Sequence, residues 1–293
     1  CMGPSASVYA LLAGEGHFLQ DQIGVLPQNL TTYNPMNVVL WFILAIVTVL
    51  LYVFTTPPAD EIVEFHANVA DADIVVDKGE KTPAEAMNNS RILTLIVAVI
   101  GLIWIFYSFI TNGILGSLSL NFVIFVFITL NCLVYKSPKE RIAAIRGSMT
   151  LATDVMIQFP FYGAIMQMMQ DSGTAQAIID AISAVATTST VPLITYVSAC
   201  IVNLFIPSQG GQWVVQGPIM VPLALEKGAY IPDIVNAFVY GDEATNMLQP
   251  LYLIPALAIT NTPLKKVWGY CAYIFVFWFI ITCIGLVVLP PLF

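Results

Sequence analysis

Four long runs of apolar residues dominate the hydrophobic pattern of this chain. They are Asn37–Phe54, Ile92–Ile110, Leu118–Val134 and Val267–Leu289. The second and the last of these runs contain no charged residue, and both reach the length of about 18 residues that a membrane-spanning helix requires. The pattern therefore predicts an all-α polytopic membrane protein.

A polar run that contains Pro and Gly, Asn203–Trp213, interrupts a further apolar region. Residues 190–206 and 213–225 on either side are apolar, but each segment is short for a full crossing of about 20 residues. Non-helical backbone at membrane depth is tolerated where protein or a water-filled cavity covers it, and discontinuous helices build the binding sites of secondary transporters. We therefore predict a re-entrant hairpin over residues 190–226. The alternative is an extramembrane turn that joins two ordinary helices.

A second polar interval lies between Gly241 and Pro250, inside the apolar region 234–260. It contains Asp242 and Glu243, and a charged side chain at the bilayer centre costs about 2.5–3.5 kcal/mol on insertion scales. Two adjacent acids at that depth are expected to face a cavity, bind a cation or take up a proton. We therefore predict a broken helix over residues 234–260, unwound between the glycine and the proline. The alternative is an external loop that keeps both acids in water.

Composition and charge agree with a membrane protein. Hydrophobic residues make up 58% of the chain and charged residues 10%, which excludes an ordinary soluble domain. The net charge is −8, and an acidic excess lies in the hydrophilic stretch Thr55–Ser90. This balance argues against nucleic acid as a partner and leaves the lipid bilayer as the surrounding medium.

The basic residues set the predicted orientation. If the clusters around residues 78–91, 136–146 and 265–266 are cytoplasmic, Lys227 is the one base left outside. With this placement, the number of membrane crossings between the basic clusters agrees with a re-entrant hairpin. Two short full crossings in place of the hairpin would put the later segments on the same sides of the membrane. The predicted organisation is, in chain order, residues 1–35 as the remnant of a first-repeat broken helix, 36–54 as a transmembrane helix, 55–91 as an acidic cytoplasmic loop, 92–135 as two transmembrane helices, 136–147 as a cytoplasmic interfacial helix, 148–262 as a second-repeat transport core and 263–293 as the terminal transmembrane helix.

The first residues repeat the pattern of a Gly/Pro break beside an apolar run. Gly3–Ser7 combines glycine, proline and two serines, and the apolar run Val8–Ala13 follows it. Broken segments and a hairpin in corresponding positions are typical of inverted-repeat transporters. We therefore expect an inverted-repeat secondary transporter that is truncated at its N-terminus and lacks the partner hairpin of the first repeat.

Three runs make a family resemblance specific: Ile157–Tyr162, Phe205–Pro218 and Tyr240–Pro250. They resemble the short-chain fatty acid transporter family, within the wider ion-transporter superfamily, and the chain corresponds to the C-terminal two-thirds of a member. The resemblance implies uptake of acetoacetate, butyrate and similar monocarboxylates across the bacterial inner (plasma) membrane, with a scaffold and a mobile transport domain. Gln212 departs from the His that some members are expected to carry. A homodimer is among the assemblies that the resemblance allows.

The polar breaks supply the candidate chemistry for such a substrate. No Lys or Arg lies in an apolar segment, so the first-turn N–H groups of the helix after Gly210 and Gly211 are the expected partners of a carboxylate. The negative charge of the substrate is expected to be cancelled by a co-transported Na+ or H+, and no cofactor, metal or catalytic residue is expected. The predicted substrate-binding residues are Ser208, Gly210, Gly211, Gln212, Trp213, Asn246, Gln249, Ser5 and Ser7, and the predicted ion-coupling residues are Asp242, Thr245 and Asn246.

Three other functions fit parts of the pattern. Another carboxylate or amino-acid carrier of the same superfamily is the nearest alternative, and a passive channel also uses discontinuous helices. An intramembrane hydrolase with Ser208 as its nucleophile needs a nearby base. The two histidines, His17 and His66, lie in hydrophilic stretches that are far from Ser208 along the chain. The sequence therefore favours a transporter over an enzyme.

Overall fold

The computed structural model describes residues 2–3, 6–56, 58, 82–117, 120–260 and 262–290. These residues form α-helices joined by turns and short irregular segments, without a β-strand among them, and the predicted all-α class is confirmed. The helices are α1 Ser7–Leu12, α2 Gln20–Ile23, α3 Pro35–Thr55, α4 Pro83–Asn88, α5 Arg91–Ser117, α6 Leu120–Val134, α7 Pro138–Asp171, α8 Thr174–Ser183, α9 Val191–Asn203, α10 Gln209–Lys227, α11 Ile231–Asn246, α12 Pro250–Thr260 and α13 Leu264–Val288.

Three helices of the described residues are long and apolar enough to cross a membrane. They are α3, the Arg91–Ile114 part of α5, and α13, and they coincide with three of the four predicted spans. The fourth predicted span, Leu118–Val134, contains the shorter helix α6 of 15 residues. Large apolar side chains stay exposed along these helices, for example Val53 at 63% and Ile110 at 83%. The chain is a multi-pass membrane protein.

The chain divides into two compact units. The first comprises residues 1–65, 155–257 and 262–293, and the second comprises residues 66–154 and 258–261.

Close helix packing holds the first unit together, and its most extensive contact joins α9 to α11. Gly241 of α11 makes this approach possible. A Cβ atom at this glycine would lie 2.5 Å from the Tyr196 carbonyl oxygen and 2.6 Å from the Ala199 Cβ. In the same unit the Trp278 indole of α13 donates to Thr48 of α3 at 2.8 Å. The residues of α9 and α11 are mostly buried, so this pair forms the packed centre of the first unit, beside which the site is built.

In the second unit α5 packs against α6. A Cβ atom at Gly101 would lie 2.5 Å from the Thr129 hydroxyl oxygen, so the absence of a side chain there lets the two helices approach closely. The short helix α4 is capped by Thr82, whose hydroxyl accepts from the Glu85 N–H at 3.3 Å. The hydrogen bond that Lys139 donates to Glu85 lowers the pKa of that carboxyl.

The predicted acidic loop falls mostly outside the described residues. Of the stretch Thr55–Ser90, residues 57 and 59–81 are not described, and α4 lies in the described part. The cytoplasmic placement of this loop stays a prediction.

Helix α7 differs from the sequence prediction because it does not stop at residue 147. It runs without interruption for 34 residues, through both the predicted interfacial helix and the span that was expected to follow it. A reciprocal cap starts it: Ser137 accepts from the Glu140 N–H at 3.2 Å, and the Glu140 carboxylate accepts from the Lys136 N–H at 2.9 Å. The lone Gly147 at the predicted boundary does not end the helix, since one glycine weakens a helix by only about 1 kcal/mol.

Candidate functional site

The polar run at residues 203–213 forms a tight break between two helices that pack against each other. Helix α9 ends at Asn203 and α10 begins at Gln209. Pro207 lies between them, and a proline lacks a backbone donor and disfavours helical geometry in the residue before it. Ser208 then caps α10, since its hydroxyl accepts from the Gly211 N–H at 3.4 Å. Its side chain is exposed, so the hydroxyl proton can still be donated to a ligand.

The second break lies between α11 and α12, at residues 247–249. It is shorter than predicted, because α11 stays helical through Asn246. The expectation of an unwound backbone from Gly241 onward was therefore wrong. The polar side chains of this stretch find partners on the hairpin, and the backbone does not have to unwind to satisfy them. The residue before Pro250 is disfavoured in helical geometry, which ends α11 and lets α12 begin with the proline.

Hydrogen bonds tie the two breaks together. The Gln249 amide donates to the carbonyls of Asn203 at 3.2 Å and Leu204 at 3.1 Å. The Tyr252 hydroxyl donates to the Pro207 carbonyl at 2.8 Å. These carbonyls belong to the end of α9 and the turn after it, where no intrahelical partner is available. The second break therefore supplies the donors that the first one needs.

Asn203 is the centre of a buried polar cluster. Its side-chain nitrogen, which carries two hydrogens, lies within hydrogen-bond distance of three acceptors: the Asp242 carbonyl at 2.8 Å, the Thr245 hydroxyl at 2.9 Å and the Asn246 side-chain oxygen at 2.7 Å. Its own side-chain oxygen is buried and has no hydrogen-bond partner. The cluster thus joins the end of α9 to the last turn of α11 and leaves one oxygen free.

The Asp242 carboxylate lies beside this cluster and is only 1% exposed. One of its oxygens, Oδ2, accepts from the side-chain amides of Gln209 and Asn246, each at 3.2 Å. The other oxygen, Oδ1, is buried and has no hydrogen-bond partner. Among the described residues no lysine or arginine forms an ion pair with it. Because an isolated buried charge is costly, this oxygen is chemically suited to accept a proton or a cation.

The structure brings most of the predicted site residues to the two breaks. Asp242, Thr245, Asn246 and Gln249 all lie in or beside the polar cluster. On the other side of Gln209, the start of α10 meets the start of α1: a Cβ atom at Gly210 would lie 3.6 Å from the Ser7 hydroxyl oxygen. Ser5, which was predicted with them, lies outside the described residues.

Two predicted site residues point into the helix packing instead. Gln212 is fully buried, and its amide donates to the Ala199 carbonyl at 2.9 Å and to the Gln216 side-chain oxygen at 3.0 Å. Trp213 is also fully buried, and its ring packs edge-on against Phe238 with the centroids 4.8 Å apart. In this conformation neither side chain presents a surface to a ligand at the hairpin tip, by which we mean residues 207–213.

Two residues of the site were missing from the sequence prediction: Asn203 and Gln209. Both are amides that directly border the helix break, one at the end of α9 and the other at the start of α10. An amide at such a position carries both a donor and an acceptor, so it can replace lost backbone partners and bind a neighbouring polar group. That position was the signal available in the sequence.

Among the described residues no group of three or more His, Cys, Asp or Glu side chains could hold a metal ion.

A multi-pass helical membrane protein with a polar hairpin, a broken helix and a buried carboxylate between them is the class that the fold and site define. The family model for the short chain fatty acid transporter matches residues 1–289, and the chain belongs to that family. Curated relatives come from Escherichia coli K12, with 31% identity over 288 residues, and Haemophilus influenzae, with 29% identity over 266 residues. Their names give short-chain fatty acid transport as a provisional function.

These matches cover 97% and 90% of this chain but 65% and 59% of the relatives, so the chain spans less than two-thirds of their length. No solved structure matches the chain.

Proposed function

We propose that the protein is a cation-coupled secondary transporter of short-chain fatty acids, such as acetoacetate and butyrate, in the bacterial inner membrane. The observation that carries the coupling is Asp242, a buried carboxylate at two helix breaks with one oxygen that has no partner. Family membership supports the class of substrate. The co-transported ion is Na+ or H+.

The substrate carboxylate binds at the start of α10 in this proposal. The exposed Ser208 hydroxyl, the Gly210 backbone and the Ser7 hydroxyl lie together there. A helix N-terminus carries a partial positive charge, and glycine lets a ligand approach the backbone closely. The nearby Asp242 carboxylate would repel a bound anion until a cation neutralises it. The start of α10 thus accounts for substrate affinity, and the nearby Asp242 accounts for the coupling of substrate binding to a cation.

The cation binds at the unpartnered Asp242 oxygen. A proton would form a bond to Oδ1, and Na+ would add oxygens of Thr245, Asn246 and the carbonyls at the break. Oδ2 is the less suitable acceptor, because two N–H groups already donate to it.

Counterflow distinguishes a carrier of this kind from a passive channel. The complete product of the gene that encodes this chain is reconstituted into liposomes and loaded with unlabelled acetoacetate, with no ion gradient. Labelled acetoacetate outside should transiently accumulate above equilibrium, because a carrier exchanges bound substrate in one step. Equilibration without such an overshoot, after subtraction of protein-free liposomes, would show a channel and refute the proposal.

The hairpin tip gives a mutational test of the substrate site. Ser208→Ala should weaken substrate affinity, since one hydrogen bond contributes about 0.5–1.5 kcal/mol and a bond to a charged group about 1.5–3 kcal/mol. Gly211→Val should abolish uptake because its side chain fills the space beside the first turn of α10. Uptake kinetics are measured together with monodispersity in detergent. Gly269→Val, at a position with no neighbour within 4 Å, serves as the control. Normal kinetics in Gly211→Val would remove the hairpin tip from the mechanism.

Orientation is tested at α4. In a background of the complete gene product without its native cysteines, Met87→Cys places a thiol at a side chain that is 59% exposed. The positive-inside rule predicts that this thiol resists a membrane-impermeant maleimide in intact cells and reacts after permeabilisation. Labelling from outside would reverse the predicted topology.

A further inference from the structure

Gln209 connects the two halves of the proposed site through a single side chain. Its side-chain oxygen accepts from the Ser7 hydroxyl at 3.2 Å and from the Val8 N–H at 3.3 Å. Its side-chain nitrogen donates to Asp242 Oδ2 at 3.2 Å. One amide therefore touches both the residue that borders the proposed substrate position and the carboxylate that takes the cation.

The orientation of this amide follows from its partners. A backbone N–H can only donate, so the atom that faces Val8 has to be the carbonyl oxygen of Gln209. The carboxylate of Asp242, when ionised, can only accept, so the atom that faces it has to be the amide nitrogen. The reversed amide would place like groups against each other at both ends, so the Val8 N–H and the ionised Asp242 carboxylate together hold Gln209 in one orientation.

The other end of the connection is anchored. The Tyr9 hydroxyl donates to the Asn236 side-chain oxygen at 2.7 Å, in a buried contact that fixes α1 on α11. Because α1 is held there, a movement of the Gln209 side chain changes the hydrogen bond of the Ser7 hydroxyl and does not simply shift the whole of α1. A Cβ atom at Gly210 would lie 3.6 Å from the same hydroxyl oxygen, which places this change at the start of α10.

We propose that Gln209 is the positioning residue that couples cation binding to substrate binding, an inference that rests on the proposed transport function. With Asp242 ionised, the charge-assisted hydrogen bond from the Gln209 side-chain nitrogen holds Gln209 in place. The Ser7 hydroxyl then donates its proton to the side-chain oxygen of Gln209. A cation or proton at Oδ1 neutralises the carboxylate, and a hydrogen bond to a neutral acceptor is about half as strong. Gln209 can then turn away from Ser7, whose hydroxyl becomes a donor for the substrate carboxylate.

The surroundings of Asp242 leave few other routes for this coupling. Of the described residues on α9, which packs against α11, Cys200 is a buried titratable group near Asp242, and its thiol is uncharged. Asn246 also donates to Oδ2, but it lies on the same helix as the carboxylate and is tied to Asn203. Gln209 alone among these partners leads to the hairpin tip.

Equilibrium binding of labelled butyrate to the purified complete gene product tests the coupling. In the first arm, butyrate affinity at pH 8 is compared between saturating Na+ and choline. In the second arm, butyrate affinity without Na+ is compared between pH 5.5 and pH 8. The first arm reports coupling to Na+ and the second reports coupling to a proton. In the native protein one arm should raise affinity by about 5–150-fold, the usual range of coupling between two sites. In Gln209→Ala the ratio should fall to about one.

Two further variants keep the test decisive. Gln209→Asn retains an amide at a half-buried position but is one methylene too short to reach both partners, so it should fold and lose the coupling. Gln176→Ala removes another glutamine that donates to an aspartate, Asp180, at 2.7 Å on the exposed face of α8. This control should keep the native ratio.

The outcomes separate the two proposals. Native protein whose butyrate affinity responds to neither Na+ nor pH would refute cation coupling itself. A native response that persists in Gln209→Ala and Gln209→Asn would refute the role of Gln209 and leave the transport function standing.

Discussion

Asp242→Asn is expected to abolish cation-driven accumulation of substrate while the protein stays folded. The asparagine keeps the shape of the carboxylate, but it can neither take up a proton nor neutralise a cation. An unpaired buried charge costs several kcal/mol, so removing it should leave the melting temperature unchanged or raise it. Uptake into proteoliposomes under an imposed gradient and thermal unfolding in detergent measure the two effects.

Asp180→Asn is the matched control for this change. Asp180 is an exposed carboxylate on α8 that also accepts a hydrogen bond from a glutamine amide. The Asp180→Asn variant should transport substrate at the native rate. Gradient-driven accumulation by Asp242→Asn at the native level would show that the buried carboxylate does not carry the coupling.

Gly241→Ala is expected to destabilise the protein strongly. The added methyl would lie 2.5 Å from the Tyr196 carbonyl oxygen and 2.6 Å from the Ala199 Cβ, and both atoms belong to the packed helix α9. Neither can rotate away, so the helices have to separate. Overpacking of a core costs about 1–3 kcal/mol and occasionally more. The expected results are a lower melting temperature and, because Asp242 is the next residue, weaker substrate binding.

The control for this prediction is Gly269→Ala on α13. No atom lies within 4 Å of a Cβ placed there, so the change should stabilise the helix by about 1 kcal/mol. Equal melting temperatures for Gly241→Ala and the native protein would contradict the close contact of α9 with α11.

The membrane helices could be predicted from the sequence because their signal is local. A run of about 20 apolar residues needs no partner to be recognised. The continuation of α7 past residue 147 could not be predicted, because the change of hydropathy near that residue does not end the helix, which runs on to Asp171.

The two helix breaks were visible in the sequence, but their extent was not. The prolines at positions 207 and 250 show where a helix has to end. How far α11 continues depends on Asn203, which lies about 40 residues earlier and satisfies the polar groups of the last turn. A contact of that kind arises only when the fold brings α9 and α11 together.

The roles of individual polar residues were the hardest to infer. Gln209 and Gln212 are three positions apart in one helix and have the same side chain. The first faces Asp242 and the second is buried between α9 and α10. Which of them lies at the site depends on the rotation of α10 against its neighbours, which the sequence does not display.

The most direct test of the central claim is uptake driven by an imposed gradient. Proteoliposomes that contain the complete gene product receive labelled acetoacetate or butyrate with an inward Na+ gradient, an inward H+ gradient or no gradient. One of the two gradients should drive accumulation above the equilibrium level, and collapse of that gradient by an ionophore should release the substrate. Equal uptake under all three conditions, no higher than in protein-free liposomes, would contradict a cation-coupled carrier of short-chain fatty acids.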